Sequence, residues 1–179
     1  MTRIPISRPM FLSDMKPVIS IIVAVAENNA IGYQGDLVYH ISADLKRFKA
    51  LTTGHTVMMG RRTFMSLPKG ALPNRRNIVL SRNPSLEFPG AERFGSIGEA
   101  LEHCSEDEHV YVIGGAEVYR QALPVADELQ LTQIHAVPAA ADTYFPEIDM
   151  NEWVETERVD CLPDDKNPYS YSFVTLRRR

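Results

Sequence analysis

Apolar residues fall into short unbroken runs through most of the chain and into alternation toward its end. Val18–Ala26 (VISIIVAVA) is β-branched almost throughout. It reads as a strand covered on both faces, central in a largely parallel sheet. Shorter runs of the same kind follow at 55–60, 75–81 and 109–113. Helical patterns lie between them. Leu45, Phe48 and Leu51 form one stripe, with Ser42 the expected N-cap and Thr53-Gly54 the stop. A second helix starts at Arg61. A capping box, Ser96-Ile-Gly-Glu99, opens a third through about His103, and Ala116 opens a fourth ending at Ala122. From Glu128 the pattern changes. Residues 129–134 alternate as a strand with one face covered. Residues 152–159 and 169–176 alternate likewise and predict an antiparallel pair.

Strand and helix in turn, then strands alone, predict a single α/β domain. Its central sheet is mixed, mostly parallel and flanked by helices, with antiparallel C-terminal strands. Residues 27–40 carry turn signals and predict a long loop, able to close over a ligand as a lid. Residues 1–17 contain Arg3, Arg8, Pro5 and Pro9 but no extended apolar run. They predict a poorly ordered extension, neither secretory leader nor membrane span, ahead of a domain over 18–179.

Composition narrows the chemistry. At 179 residues, 44% hydrophobic and 23% charged, the chain has the make-up of an ordinary globular protein. A net charge of -4 argues against nucleic acid as the main partner. Cys104 and Cys161 form no CxxC and predict free thiols in a reducing cytoplasm. The five histidines are scattered, without HExxH spacing, so no metal site is expected.

Two features carry candidate chemistry. Asp44 lies one helical turn before Phe48, so a carboxylate projects beside an apolar stripe. Burying that charge is costly unless the helix dipole or a partner offsets it. Strands that end in Gly60 and in Gly114-Gly115 each feed a helix start, and Arg61 and Arg62 add charge at the first of them. Such starts favour anions, phosphate above all. Each feature alone has a plainer reading, as a dipole-favoured Asp or as a simple turn.

Taken in order, 19–26, Ala30-Ile-Gly32, Asp44-Leu-x-x-Phe48, Val57-Met-Met-Gly-Arg-x-Thr-Phe64, Leu72-Pro-x-Arg75, 77–81, Ile113-Gly-Gly-x-x-x-Tyr119, Leu131-Thr132 and Asp142-Thr-x-Phe-Pro146 closely resemble dihydrofolate reductases of the bacterial chromosomal kind. The resemblance covers about residues 18–179. It implies reduction of 7,8-dihydrofolate to tetrahydrofolate with NADPH, in a monomer open to antifolate inhibitors. By position, Asp44 is the acid that bonds the pterin and promotes its protonation through a water. Thr132 holds Asp44, and Tyr39 stands near that water. Ile22, Val23, Leu45, Phe48, Leu67, Leu72 and Ile113 would line the substrate pocket, with Arg75 on the substrate's α-carboxylate. Ala24, Ile31 and Tyr119 would meet the nicotinamide half. Gly114, Gly115, Ala116 and Val118 would surround the pyrophosphate. Gly60, Arg61, Arg62, Thr63, Leu80, Ser81 and Arg82 would take the adenosine phosphates.

The chain departs from the family pattern at Tyr39, in place of a usual tryptophan, and at Leu37 and Val38, in place of methionine and proline. Glu117 stands where some relatives carry a basic residue. Two competing readings are a pyrimidine reductase of riboflavin biosynthesis and a non-catalytic nucleotide-binding module. The first has no need of Arg75 as a carboxylate clamp. The second has no need of a buried carboxylate.

Overall fold

The computed structural model describes residues 16–179. The expectation for the N-terminal extension therefore lies outside the described residues, apart from Lys16, whose Nζ reaches Asp127 Oδ1 at 3.1 Å, and Pro17. The strands are β1 (Val18–Ala26), β2 (Ala30–Tyr33), β3 (Asp36–Leu37), β4 (Thr56–Gly60), β5 (Arg76–Leu80), β6 (Ala91–Phe94), β7 (His109–Gly114), β8 (Glu128–Ile134), β9 (Thr143–Tyr144), β10 (Trp153–Cys161) and β11 (Tyr171–Arg178). The helices are α1 (Ser42–Thr52), α2 (Arg61–Ser66), α3 (Ile97–Glu102) and α4 (Ala116–Ala122).

One eight-stranded sheet runs β10-β11-β8-β1-β7-β4-β5-β6. The pairs from β8 to β6 are parallel, and β11 is antiparallel to both β8 and β10. The pleat sends alternate side chains to opposite layers. Ile22, Val57, Met59 and Val79 pack on the side of Phe48, Leu51 and Phe64, hence under α1 and α2. Ile21, Val23, Met58, Ile78 and Val112 pack on the other side with Ala100, Val118 and Ala122, from α3 and α4.

The pairing of β1 with β7 stops at Ile21↔Val112. Beyond it β1 continues against β8 as far as Ala26↔Ile134, while β7 follows β4 to Met59↔Gly114. The sheet therefore opens at the carboxyl ends of β1 and β7. The chain builds away from β1 in one direction and returns to its other side, and such a switch point is where α/β sheets bind ligands.

Three expectations need correction. Ser42 is not the N-cap of α1: that position is Ile41, with no side-chain cap, and its carbonyl accepts from Asp44 N at 3.1 Å and Leu45 N at 3.2 Å. Strand β8 is covered on both faces, with Glu128, Gln130 and Thr132 only 5%, 8% and 1% exposed. Gln130 and Thr132 meet Arg47 and Asp44 of α1, and Glu128 meets Ser20, Gln130 and Arg177, which alternation alone does not distinguish from a water-facing row. The stretch 27–40 is not wholly loop, since β2 and β3 lie within it. They form a separate three-stranded sheet with β9, strapped by Gln34 N to Asp142 Oδ2 at 2.9 Å. Strands β6 and β9, four and two residues long, carry too little pattern to be read from sequence. The capping box holds: Ser96 Oγ accepts from Glu99 N at 3.1 Å, while the Glu99 carboxylate reaches back one residue farther, to Gly95 N.

Candidate active site

Asp44 sits in the first turn of α1, over the point where Ala24 pairs with Thr132. Thr132 Oγ1 donates to Asp44 Oδ1 at 2.5 Å. Burial pushes the Asp44 carboxyl above the usual aspartate range, against the opposing pull of the Thr132 bond and the Arg47 charge. Around it the half-buried Phe48, Leu67, Leu72 and Ile113 share one apolar cluster with the buried Ile22. Leu45, on the next position of α1, is 58% exposed. The cleft is thus apolar and open on one side. Two cavities, of about 410 and 240 Å³, lie elsewhere: at the amino ends of β4, β5 and β7, reaching Arg75, and beside 25–29 and 133–135. Neither is lined by Asp44.

Arg75 lies near the far end of α1, where its Nη1 donates to Thr52 Oγ1 at 3.1 Å and its Nε to Pro73 O at 2.9 Å. From Asp44 to Thr52 the helix rises about 12 Å at about 1.5 Å per residue. Asp44 and Arg75, the latter without a carboxylate partner among the described residues, thus stand at opposite ends of α1.

The opposite wall is a row of strand ends. Gly114 pairs with Met59, and Gly60 with Leu80, so the carboxyl ends of β7, β4 and β5 adjoin. A Cβ on Gly60 would come within 3.2 Å of Val118 Cγ2. Gly114 has φ +132, where a side chain is strained, and a Cβ there would meet Thr63 Oγ1 and Tyr119 Oη at 3.4 Å. Arg61, Arg62 and Arg82 stand exposed along this row, and Ser81 and Thr63 are half-buried in it. Bare backbone flanked by cationic side chains fits a phosphate-bearing cofactor.

Other predicted site residues are placed differently. Val23 points its side chain into the layer opposite Ile22, as the strand pleat requires, so only its backbone meets the cleft. Ile31 and Tyr119 belong to that same opposite layer. Tyr119 is 5% exposed, and its Oη donates to Ile22 O at 3.0 Å where β1 and β7 have parted. Burial pushes its phenol far up, so it stays protonated. Tyr39 is tilted against Tyr169, ring centroids 4.8 Å apart, and packs by Ile41 and Tyr171. No hydrogen bond joins Tyr39 to Asp44 among the described residues. Arg47, missed on sequence, is half-buried three residues after Asp44 and donates to Gln130 Oε1 at 2.5 Å. Its spacing from Asp44 and the alternation Glu128, Gln130, Thr132 were the available signal.

The family model for dihydrofolate reductase matches residues 18–178. Dihydrofolate reductase type 3 of Salmonella typhimurium is 46% identical over 90% of this chain and 98% of its own. The chain belongs to the dihydrofolate reductase family.

The family's enzyme from Bacillus subtilis is 40% identical over 90% of this chain and 95% of its own. A solved dihydrofolate reductase from Enterococcus faecalis, complexed with NADP(H) and RAB-propyl, superposes with a TM-score of 0.83 at 37% identity, covering 90% of this chain and 96% of that one. Membership in the dihydrofolate reductase family leaves no room for the binding-module reading. Glu117, the acidic departure from the dihydrofolate reductase pattern, is paired with Arg120 on its own helix, which offsets its charge. No helix among the described residues is long and apolar enough to cross a membrane.

Proposed function

We infer that the chain reduces 7,8-dihydrofolate to 5,6,7,8-tetrahydrofolate with NADPH. The observation that carries this reading is Asp44: a carboxyl desolvated in an apolar groove, held by Thr132, beside the open switch point of the sheet. NADPH, when bound, supplies the hydride. The residues of the chain bind, orient and manage the proton.

Asp44 bonds the amino group and ring nitrogen of the pterin and fixes its face toward the row of strand ends. Its raised titration keeps more of it protonated near neutrality, and a water relays the proton to the imine nitrogen, out of direct reach. Activity therefore falls as pH rises through the Asp44 titration. Ile22, Phe48, Leu67, Leu72 and Ile113 exclude water around the pterin and the benzoyl ring. Arg75 takes the α-carboxylate, pre-set by its bonds to Thr52 and Pro73. Gly114, Gly115 and Ala116 hold the pyrophosphate with backbone, and Arg61, Arg62, Thr63, Ser81 and Arg82 hold the adenosine phosphates. Ala24 borders the nicotinamide, and the β2–β3 segment covers it. The working unit is a monomer, and unpaired thiols at Cys104 and Cys161 fit a reducing cytoplasm.

The deciding experiment mixes the full chain with NADPH and dihydrofolate and follows loss of the reduced-nicotinamide absorbance, with methotrexate as control. Methotrexate-sensitive turnover that collapses in Asp44→Asn supports the reading. Full activity of Asp44→Asn with an unchanged pH profile removes Asp44 from it.

A further inference from the structure

Beneath the catalytic groove a polar thread crosses the protein on the α1 side of the sheet. Arg47 Nη2 donates to Gln130 Oε1 at 2.5 Å, and Thr175 Oγ1 donates to the same oxygen at 3.1 Å. Gln130 Nε2 donates to Glu128 Oε1 at 2.8 Å, which also accepts from Ser20 Oγ at 3.0 Å. Ser20 Oγ meets His109 Nε2 at 2.6 Å, and Glu128 Oε2 pairs with Arg177 at 2.8 Å near the surface. The guanidinium of Arg47 lies 4.6 Å over the ring of Phe173. Its Nη1 is buried with no hydrogen-bond partner among the described residues.

This arrangement is expensive if Arg47 serves only packing. A half-buried cation held by an amide oxygen and an aromatic face, with one nitrogen unsatisfied, costs stability that an apolar side chain of similar length would not. Its distinguishing property is position. Helical spacing puts Arg47 on the face of α1 that carries Asp44, and both reach β8, one to Gln130 and the other to Thr132.

We propose that Arg47 is a positioning residue that sets the ionisation of Asp44 through space, and that Glu128, acting through Gln130, limits the strength of that effect. This rests on the reading of Asp44 as the group that promotes protonation. Asp44 is faced by Arg47 from α1, by the hydroxyl of Thr132 from β8, and by the phenols of Tyr119 from α4 and Tyr171 from β11. Arg47 is faced by Glu128 from β8, Glu157 from β10 and Tyr111 from β7. Of these only Arg47 carries a positive charge toward Asp44. Burial pulls the guanidinium below its ordinary value, yet an arginine stays protonated throughout the working range. Its charge favours the ionised carboxylate and works against burial, which keeps Asp44 from titrating too high. The negative charge of Glu128, itself paired with Arg177 and set beyond Gln130, acts on Asp44 in the opposite sense from farther off. The signs follow: loss of the Arg47 charge raises the Asp44 midpoint, and loss of the Glu128 charge lowers it.

The test uses the full chain with carboxyl-labelled aspartate and follows the Asp44 resonance against pH without ligands, the signal being assigned by its loss in Asp44→Asn. Arg47→Met is expected to raise the midpoint by several tenths to about one unit, since Arg47 acts on Asp44 through its charge and not through an ion-pair contact. Arg47→Lys restores most of the parent value. Glu128→Gln moves it down by a few tenths, since the charge is farther away. The pH profile of kcat/KM follows the same order. A side chain that only packs would lower Tm in both variants without opposite displacements. An unmoved midpoint in folded Arg47→Met, or an Arg47→Lys displaced as far as Arg47→Met, overturns the proposal. If Arg47→Met does not fold, Glu128→Gln decides, and a midpoint that stays or rises overturns it. If the resonances move as expected and the rate profile does not, the Arg47 coupling stands and the proton role of Asp44 falls.

Discussion

Thr132→Val removes one hydrogen and one acceptor from the site and leaves its volume almost intact. The bond lost is the 2.5 Å contact from Thr132 Oγ1 to Asp44 Oδ1. It stabilises the carboxylate more than the neutral acid, so its loss raises the Asp44 titration further in the direction burial already drives it. A hydrogen bond to a charged group contributes about 1.5–3 kcal/mol, and about 1.4 kcal/mol corresponds to one pKa unit. Outright loss would therefore be worth about one to two units. Because the groove is open at Leu45, water replaces part of the bond, and about one unit is expected. The assay is the pH dependence of kcat/KM for dihydrofolate, which reports the free enzyme, with deuterated NADPH to verify that hydride transfer limits the rate. Thr132→Val should hold its activity to higher pH than the parent, with the midpoint up by about one unit, while Thr132→Ser keeps the parental midpoint. A Thr132→Val enzyme with weaker substrate binding but an unmoved midpoint would refute the reasoning, leaving Thr132 a packing residue.

Arg75→Leu should raise KM for dihydrofolate by roughly thirty- to a hundred-and-fifty-fold, the equivalent of about 2–3 kcal/mol for a charge-assisted pair of hydrogen bonds, with KM for NADPH unchanged; equal effects on both would dissociate Arg75 from the α-carboxylate. Gly114→Ala forces a side chain to φ +132 against Thr63 and Tyr119, a strain of about 1–3 kcal/mol, so Tm should fall by several degrees and KM for NADPH should rise. Asp44→Asn should gain stability at neutral pH. Between the ordinary aspartate value of 3.8 and the raised native one, the folded state binds more protons than the unfolded state, so parental stability declines as pH climbs through that window. The variant lacks this decline: its Tm advantage, about 2–4 °C per kcal/mol at this size, is absent at pH values below that window and complete above it.

Much of this protein is written in local patterns. The unbroken apolar run of β1, the stop at Thr53-Gly54, the Ser96 capping box and the helix Ala116–Ala122 each follow from short-range sterics and hydrogen bonding. Asp44 is legible in the same way, because a charge one turn before Phe48 on an apolar stripe conflicts with its surroundings. What the neighbours of a strand will be is not local. The alternation of β8 looks like a water-facing strand, and only the arrival of α1 turns Gln130 and Thr132 into buried partners of Arg47 and Asp44. The cleft is likewise a product of assembly: β1 and β7 must pair as far as Ile21↔Val112 and then part. Val23 and Tyr119 sit beneath it rather than within it, since pleat and layer decide which way each side chain points. A residue's intrinsic preference is set by atoms a few positions away, but its dielectric surroundings and its partners come from segments on the order of a hundred residues distant, and no local pattern encodes those.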